Sequence, residues 1–452
     1  MLDDNHQVRL FSVAGVKGQQ EAEQRATAAL LSVLTMVRPL SRRLLGPLGA
    51  SKADRATVEA WTEVPYKTAD GETLRPDGVI RVSSGKHTFT ALVEVKTGDS
   101  PQELSQIEKY LKLARAEGYD CLITISGEVA PFDGAHPTPR ADSLRVGSVK
   151  LHHLSWTRIL AEAVQQVAHH GVEDEEQAWI AAELIRYLEH PNSGIAQASD
   201  MGEHWVSVRD KARDGLLGKP GPEALDVCRR WDQLLHTTAM RLGAELGIDV
   251  REVIPKAQRD DPSQRIRSLA AELCDNGLLQ GRLRVPGAVG DITVTADMRA
   301  ARTVVAVESP APLDKGGKGR IGWLVRQQLR DAPSSITVEA FTRSSRVAEI
   351  ASLADLREDT AVILRSRDKP PVKFRVSHRT ETGQGRRTRN VRTLGFADSV
   401  VDAIDDFYRN VVQHMRSPTP VPPKMAAAPT IDEAADSESG GAPTESNALT
   451  PG

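Results

Sequence analysis

The chain has 452 residues, three cysteines and a formal net charge of -3. That length suggests two or three domains with separate cores, and the near-neutral balance excludes a globally basic nucleic-acid binder while leaving room for a local basic face. Cys121, Cys228 and Cys274 show no C-x-x-C spacing, which excludes a zinc site or disulfide frame and indicates reduced thiols. No stretch approaches the ~18 apolar residues a bilayer span needs. The start, MLDDNHQVRLF, lacks the basic head and apolar run of a signal peptide. The expectation is a soluble, cytoplasmic protein with no membrane partner.

In chain order, residues 20–36 repeat apolar side chains at Ala22, Ala26, Ala29, Leu30, Val33 and Leu34, the stripe of an amphipathic helix. Glu21 and Glu23 lie in its first turns, where acids complement the helix dipole. A strand is expected over 56–66 and a turn at Asp70-Gly71. Pro76-Asp77 follows, and then a β-type run, 89–95, brings Glu94 near its end and Lys96 just beyond. Alternation along a strand puts Glu94 and Lys96 on one side and Val93 and Val95 in a core. A loop with Gly98 and Pro101 leads to a helix carrying Gln106 and Tyr110 one turn apart. A second β-branched run spans 121–125. Residues 146–154 read as a last strand, with His152 and His153 as packing residues, and 156–167 as a helix.

Two acids and a lysine on one side of a sheet are the parts of a divalent-metal site with a built-in base. Carboxylate oxygens suit Mg2+, and a bound metal lowers the pKa of its water. A partly desolvated Lys96 is expected to have a depressed pKa and to accept or orient the water proton. The bland alternative for Glu-x-Lys is a surface ion pair.

Pro76-Asp77, Glu94-Val95-Lys96 and Gln106-Ile-Glu-Lys-Tyr110 together resemble the PD-(D/E)xK nuclease superfamily, in its RecB-like Q-x3-Y variant, over roughly residues 10–160. The resemblance implies an α/β chain whose N-terminal domain, 1–165, is restriction-endonuclease-like, with a central mixed sheet flanked by helices. It implies Asp77, Glu94, Lys96, Gln106 and Tyr110 as catalytic residues and Mg2+ (or Mn2+) held by Asp77, Glu94 and the Val95 carbonyl. In the superfamily an acid on the first helix often joins the metal site, which makes Glu23 a further candidate ligand beside its dipole role. DNA is the implied substrate, with Gln106 and Tyr110 reaching a strand or bracing the metal ligands. Restriction-type relatives often pair to cut both strands, so a homodimer stays open, although no coiled-coil pattern is present. The implied activity is that of a metal-dependent DNA nuclease, in repair or in defence against foreign DNA. The alternative is a nuclease-like scaffold that binds nucleic acid or a partner and cuts nothing.

Residues 166–280 read as a helical connector, with helices over 173–188, 201–215 and 222–246 and with Trp179, Trp205 and Trp231 on apolar faces. From Gly281 the pattern alternates, and 281–415 reads as a second, smaller α/β domain. Its order of strand, strand, helix, strand repeats that of the motif unit. Overlaying the two sets Asp297 on Asp77 and Glu308 on Glu94, with Pro310 in place of the lysine. That fits either a degenerate second copy or an unrelated α/β domain. Residues 365–392 hold ten Lys or Arg against Asp368 and Glu381, with Gly383-Gln384-Gly385 suggesting a hairpin tip or flexible loop. Lys373, Arg375, Arg386, Arg387 and Arg389 are the candidates for gripping phosphates; a solvated loop is the other reading. Residues 416–452, rich in Pro, Ala, Ser, Thr and Glu, are expected to be a disordered tail that offers a protein partner a handle.

Overall fold

The protein is described by a computed structural model covering residues 10–12, 18–53, 55–68, 70–98, 100–130, 135–138, 140–193, 195, 200–343, 347–364, 369–386 and 394–418. It is a mixed α/β chain built on two separate sheets. Of the expected disordered tail, only the residues up to Pro418 are described, and the remainder lies outside them.

The first sheet begins after helices α1 (Gln19–Met36) and α2 (Arg38–Leu45). Its strands are β1 (Thr57–Thr62), then, after a two-stranded hairpin of β2 (Tyr66–Lys67) and β3 (Thr73–Leu74), β4 (Gly78–Ser84) and β5 (His87–Val95). Helix α3 (Leu104–Ala116) crosses to β6 (Cys121–Ser126), and β7 (Lys150–Ser155) closes the sheet. The strand order is β1-β4-β5-β6-β7; β1, β4 and β5 run antiparallel, and β5, β6 and β7 run parallel. Central β5 and β6 are covered on both faces, which is why ALVEV and CLITI are nearly continuous apolar runs.

One face carries α1, α2, α4 (Trp156–Gln165) and α5 (Glu175–Glu189), whose apolar stripes meet Ile80, Val93, Val95, Ile123 and Ile125. The other face carries α3, with Ile107 and Leu111 on Val79, Leu92 and Leu122. Glu94 lies on the α3 face, in line with Leu92, and is itself only 2% exposed.

Residues read as a helical connector supply α6 (Trp205–Arg213), α7 (Pro222–Leu246), β8 (Arg251–Glu252), α8 (Lys256–Asp260) and α9 (Pro262–Asn276). The buried faces of α6, α7 and α9 share the core of the second sheet. Trp205 and Trp231 are buried there, as expected, but Trp179 is 56% exposed, so its stripe assignment fails.

The second sheet continues with β9 (Leu278–Arg284), β10 (Ile292–Asp297), β11 (Arg302–Pro310), helix α10 (Gly317–Trp323), β12 (Thr337–Thr342), β13 (Glu349–Ser352), helix α11 (Leu353–Glu358), β14 (Pro371–Glu381) and helix α12 (Phe396–Asn410). Its order is β13-β12-β14-β11-β10-β9-β8, and every pairing is antiparallel. Two expectations change here. First, residues 371–381 of the basic segment are no loop: β14 is an interior strand, with Phe374 and Val376 fully buried while Lys373 and Arg375 alternate to the other face, and residues 365–368 and 387–392 lie outside the described residues. Second, β14 separates β11 from β12, whereas β5 and β6 pair directly, so the shared strand-helix-strand order does not give a shared pairing.

The residue overlay fails in register as well. Asp297 pairs with Arg302 at the turn end of the β10–β11 hairpin, and Glu308 lies just past the Ile292–Val307 pair at the other end. Asp297 instead caps the turn, accepting from the Arg299 and Ala300 amides at 2.9 and 3.0 Å. Glu308 pairs with Lys373 at 2.9 Å. Among the described residues, no helix is long and apolar enough to cross a membrane.

Candidate functional site

The register of the β4–β5 hairpin builds the site. Gly78 pairs with Val93, so Asp77, one residue before β4, sits at the open end beside Glu94. Asp77 accepts the Val95 amide at 2.7 Å, which ties the two motif strands together. The Lys96 ammonium lies 2.6 Å from Glu94 Oε1, and Gln106 of α3 donates to that same oxygen at 2.7 Å. Glu23, from the first turns of α1, stands 3.9 Å from Lys96 Nζ and accepts the Thr97 amide at 3.4 Å. Residues from α1, the segment just before β4, the end of β5 and α3 therefore converge on one spot.

The electrostatics are those of crowded acids. Burial, then the neighbouring Asp77 carboxylate, pushes Glu94 up to about 8, against the pull of Lys96. Asp77 is also raised, by burial, against the Val95 amide and Lys96. The expected depressed pKa of Lys96 is reversed. Burial does pull it down, but Glu94, with Glu23 and Asp77 behind it, more than offsets that and holds the ammonium above its ordinary range. A desolvated lysine falls only where no carboxylate compensates it.

Tyr110 does not reach into solvent. It is buried, its hydroxyl pushed up to about 12 by burial and then by Glu94, and it donates to the Arg75 carbonyl at 3.2 Å. It thus fixes the backbone that delivers Asp77. Gln106 fixes Glu94. Both are bracing contacts.

Three supports had no signal in the sequence. Gln102, 3% exposed, donates to the carbonyls of Glu94 and Ile125 at 3.4 and 3.2 Å. Trp156, the first residue of α4, donates its indole N–H to the Lys96 carbonyl at 2.9 Å. Beside Glu94 in the sheet, Thr124 joins two rings: it lies 2.8 Å from His136 Nε2 and 3.0 Å from His153 Nδ1.

The proton directions in that chain follow from its ends. His136 Nδ1 accepts the Thr138 amide, so Nε2 donates to Thr124; Thr124 donates to His153, whose Nε2 donates to the Glu128 carbonyl. Both rings are neutral, lowered by burial to about 3 for His136 and about 4 for His153. The packing role expected for His153 is thus a hydrogen-bonded one.

The basic candidates are dispersed. Lys373 pairs with Glu308 and lies over the Phe341 ring, and Arg375 pairs with Glu339 at 3.4 Å. Arg386 is held by both oxygens of Asp200, at 2.6 and 2.8 Å. Arg387 and Arg389 lie outside the described residues. Among the described residues, no group of three His, Cys, Asp or Glu is placed to hold a metal ion.

No family model matches the chain, and neither a curated protein nor a solved structure does.

Proposed function

We propose that the chain is a metal-dependent nuclease that hydrolyses DNA phosphodiester bonds, its N-terminal unit a restriction-endonuclease-like domain of the PD-(D/E)xK type. One observation carries this reading: Asp77, Glu94 and Lys96 meet at the open end of one hairpin, with both acids raised by burial and Glu94 raised further by the Asp77 carboxylate. Glu94 and Glu23 pair with the Lys96 ammonium, and the Asp77 carboxylate adds to the negative field on it. A buried excess of negative charge on hard oxygen donors suits a hard divalent cation. Asp77 and Glu94 would hold Mg2+ or Mn2+, with the Val95 carbonyl as a further oxygen. Such a cation supplies charge relief at a phosphate and a water of lowered pKa.

The chain's own residues then have distinct tasks. Lys96, kept protonated by Glu94, offers N–H donors to an incoming phosphate oxygen rather than accepting a proton. Gln106 orients the Glu94 carboxylate, Tyr110 the backbone before Asp77, and Trp156 and Gln102 the end of β5. A second reading, a scaffold that binds without cutting, is favoured by the lack, among the described residues, of three acids, histidines or cysteines placed together to hold a metal ion.

The test is cleavage of linear, circular and single-stranded DNA with Mg2+ or Mn2+, run beside Asp77→Ala and Lys96→Ala. The nuclease reading requires metal-dependent cutting that both variants lose. Cutting by Asp77→Ala at the wild-type rate would overturn it. Absence of cutting with salt-sensitive DNA binding that survives loss of both acids would establish the scaffold.

A further inference from the structure

β1 is the outermost strand of the first sheet, and among the described residues no strand pairs with its free edge. Its six residues pair with β4 without a bulge, and they include neither lysine nor proline. Those are the devices that commonly keep a strand edge from recruiting another chain. The second sheet does blunt its edges, since its outermost strands, β8 and β13, hold only two and four residues. Beside β1 lies a groove of about 650 Å³ between the strand and α1. Ala28, Ser32 and Thr35 of α1 line it with small uncharged side chains, and among the described residues Glu63 is the one charged member of its lining. Trp61, 38% exposed, lines it as well. Such a lining offers nothing to a phosphate backbone, whose binding needs cations. It suits a polypeptide strand, whose N–H and C=O groups would meet those of the free edge.

We propose that the free edge of β1 pairs with the β1 edge of a second copy of this chain, joining two five-stranded sheets into one continuous sheet. The strand is self-complementary in one register. A two-fold axis normal to the sheet pairs residues of the same face, so it passes through a residue and not between two. Centred on Glu59, the axis would set the two Glu59 carboxylates directly opposite each other. Centred on Trp61, it would set Glu59 against the partner's Glu63. Like charges at such positions repel. Centred on Ala60, it meets neither problem: Ala60 faces the partner's Ala60, Val58 faces the partner's Thr62, and Glu59 lies beside the partner's Trp61. Within one chain the Arg81 guanidinium rests 5.0 Å from the Trp61 ring centroid and 3.9 Å from Glu59. Each Glu59 would therefore sit between two arginines, its own Arg81 and the partner's Arg81, and each exposed indole would gain a neighbour.

The experiment is sedimentation equilibrium of the full chain in EDTA over a wide range of concentration, which reads mass and is blind to cleavage. A reversible dimer is expected. Ala60→Cys places two thiols on the axis, where opposite Cβ atoms lie about 5 Å apart, so a short bis-maleimide should join the copies. Thr57→Cys, roughly 20 Å from its counterpart at about 3.4 Å per residue, should stay unlinked. The native cysteines are buried and give no background. Glu59→Arg should weaken the dimer at least tenfold, and Arg81→Glu in the same chain should restore it, with the thermal midpoint preserved in both. A monomer at every concentration overturns the proposal, whether the edge is bare or covered by another segment of this chain. A dimer that Ala60→Cys does not link, or that is indifferent to Glu59→Arg, meets through another surface and overturns it too. The proposal stands apart from the nuclease reading: a dimer without DNA cleavage refutes only that reading, and cleavage by a monomer refutes only this one.

Discussion

Replacing Glu94 with glutamine tests the electrostatics of the candidate site without requiring any catalysis. Glutamine keeps an oxygen for Lys96 and Gln106 but removes the charge. In the folded protein the Glu94 carboxyl is raised from 4.5 to about 8, so between those values the folded state holds a proton that the unfolded chain has released. Stability therefore falls as pH rises through this window and levels off above about pH 8. At about 1.4 kcal/mol per tenfold change in proton affinity, the loss is roughly 3 kcal/mol by pH 7 and 4–5 kcal/mol above pH 8. Urea denaturation of both proteins in EDTA, from pH 5 to 9, reads this directly. The Glu94→Gln protein should become the more stable of the two as pH rises, with a gap of that size at the alkaline end. Mg2+ should narrow the gap by stabilising the wild type alone. Parallel curves across the whole range would mean that Glu94 is not the strained acid its burial and its Asp77 neighbour make it, and the metal argument would lose its main support.

On the acid side, His136 and His153 are lowered below 6.5, so the unfolded chain binds the extra protons and their contribution to stability drops as pH falls below about 6.5; Glu94 acts in the opposite direction over the same range, so the Glu94→Gln protein is the one to measure, and a profile of that variant flat from pH 6.5 to 4.5 would contradict the neutral relay. Thr124→Val removes the hydroxyl joining the two rings and should cost about 2 kcal/mol in urea denaturation, whereas an unchanged midpoint would show that the rings find other partners. Arg265 is buried between Asp232 and Glu252, so Arg265→Met strands two carboxylates and should cost about 3–5 kcal/mol; a neutral effect would mean that both acids are protonated in the native protein. A methyl group at Gly290 would sit 2.5 Å from the Glu308 carbonyl oxygen, so Gly290→Ala should destabilise by about 1–3 kcal/mol, and calorimetry showing no loss would place Gly290 elsewhere.

The parts of the fold legible in the sequence were those encoded locally. The residue 222–246 pattern became α7 with the same ends, where Pro222 starts the helix and Gly247, at φ +69°, stops it. The motif strands and α3 likewise followed from alternation and from the Gln106–Tyr110 spacing. Helix α9 had an equally clear signature, with Asp261 capping Ser263 and Gln264, Pro262 at its first turn and Gly277 past its end. It passed unread because the surrounding stretch is weakly apolar. β14 was hidden by its charge: an antiparallel strand with one face away from the core carries Lys and Arg at alternate positions, and a count of basic residues cannot tell that from a loop.

Partners separated in sequence were the least legible. Nothing near Arg386 announces Asp200, and nothing near Lys96 announces Trp156, because those pairs exist only once distant elements have packed. The same limit explains Lys96 itself. Its type and spacing suggested a base, but its protonation is decided by Glu94 two residues before it, joined by Glu23 and Asp77 from elsewhere in the chain.

The place of β14 in the second sheet has a consequence for how the chain assembles. Every strand of the first sheet lies within residues 57–155, and each newly made strand finds its neighbour among those already present. A growing chain can therefore complete that sheet while the remainder is still being synthesised. The second sheet cannot proceed in this way. β11 and β12 each leave an edge open until residues 371–381 emerge to fill the gap between them. During that interval the free edges of β11 and β12 present backbone N–H and C=O groups that β14 will later pair, the arrangement that recruits strands from other chains. A chain stopped before Pro371 would thus carry a finished first sheet joined to an adhesive half of the second.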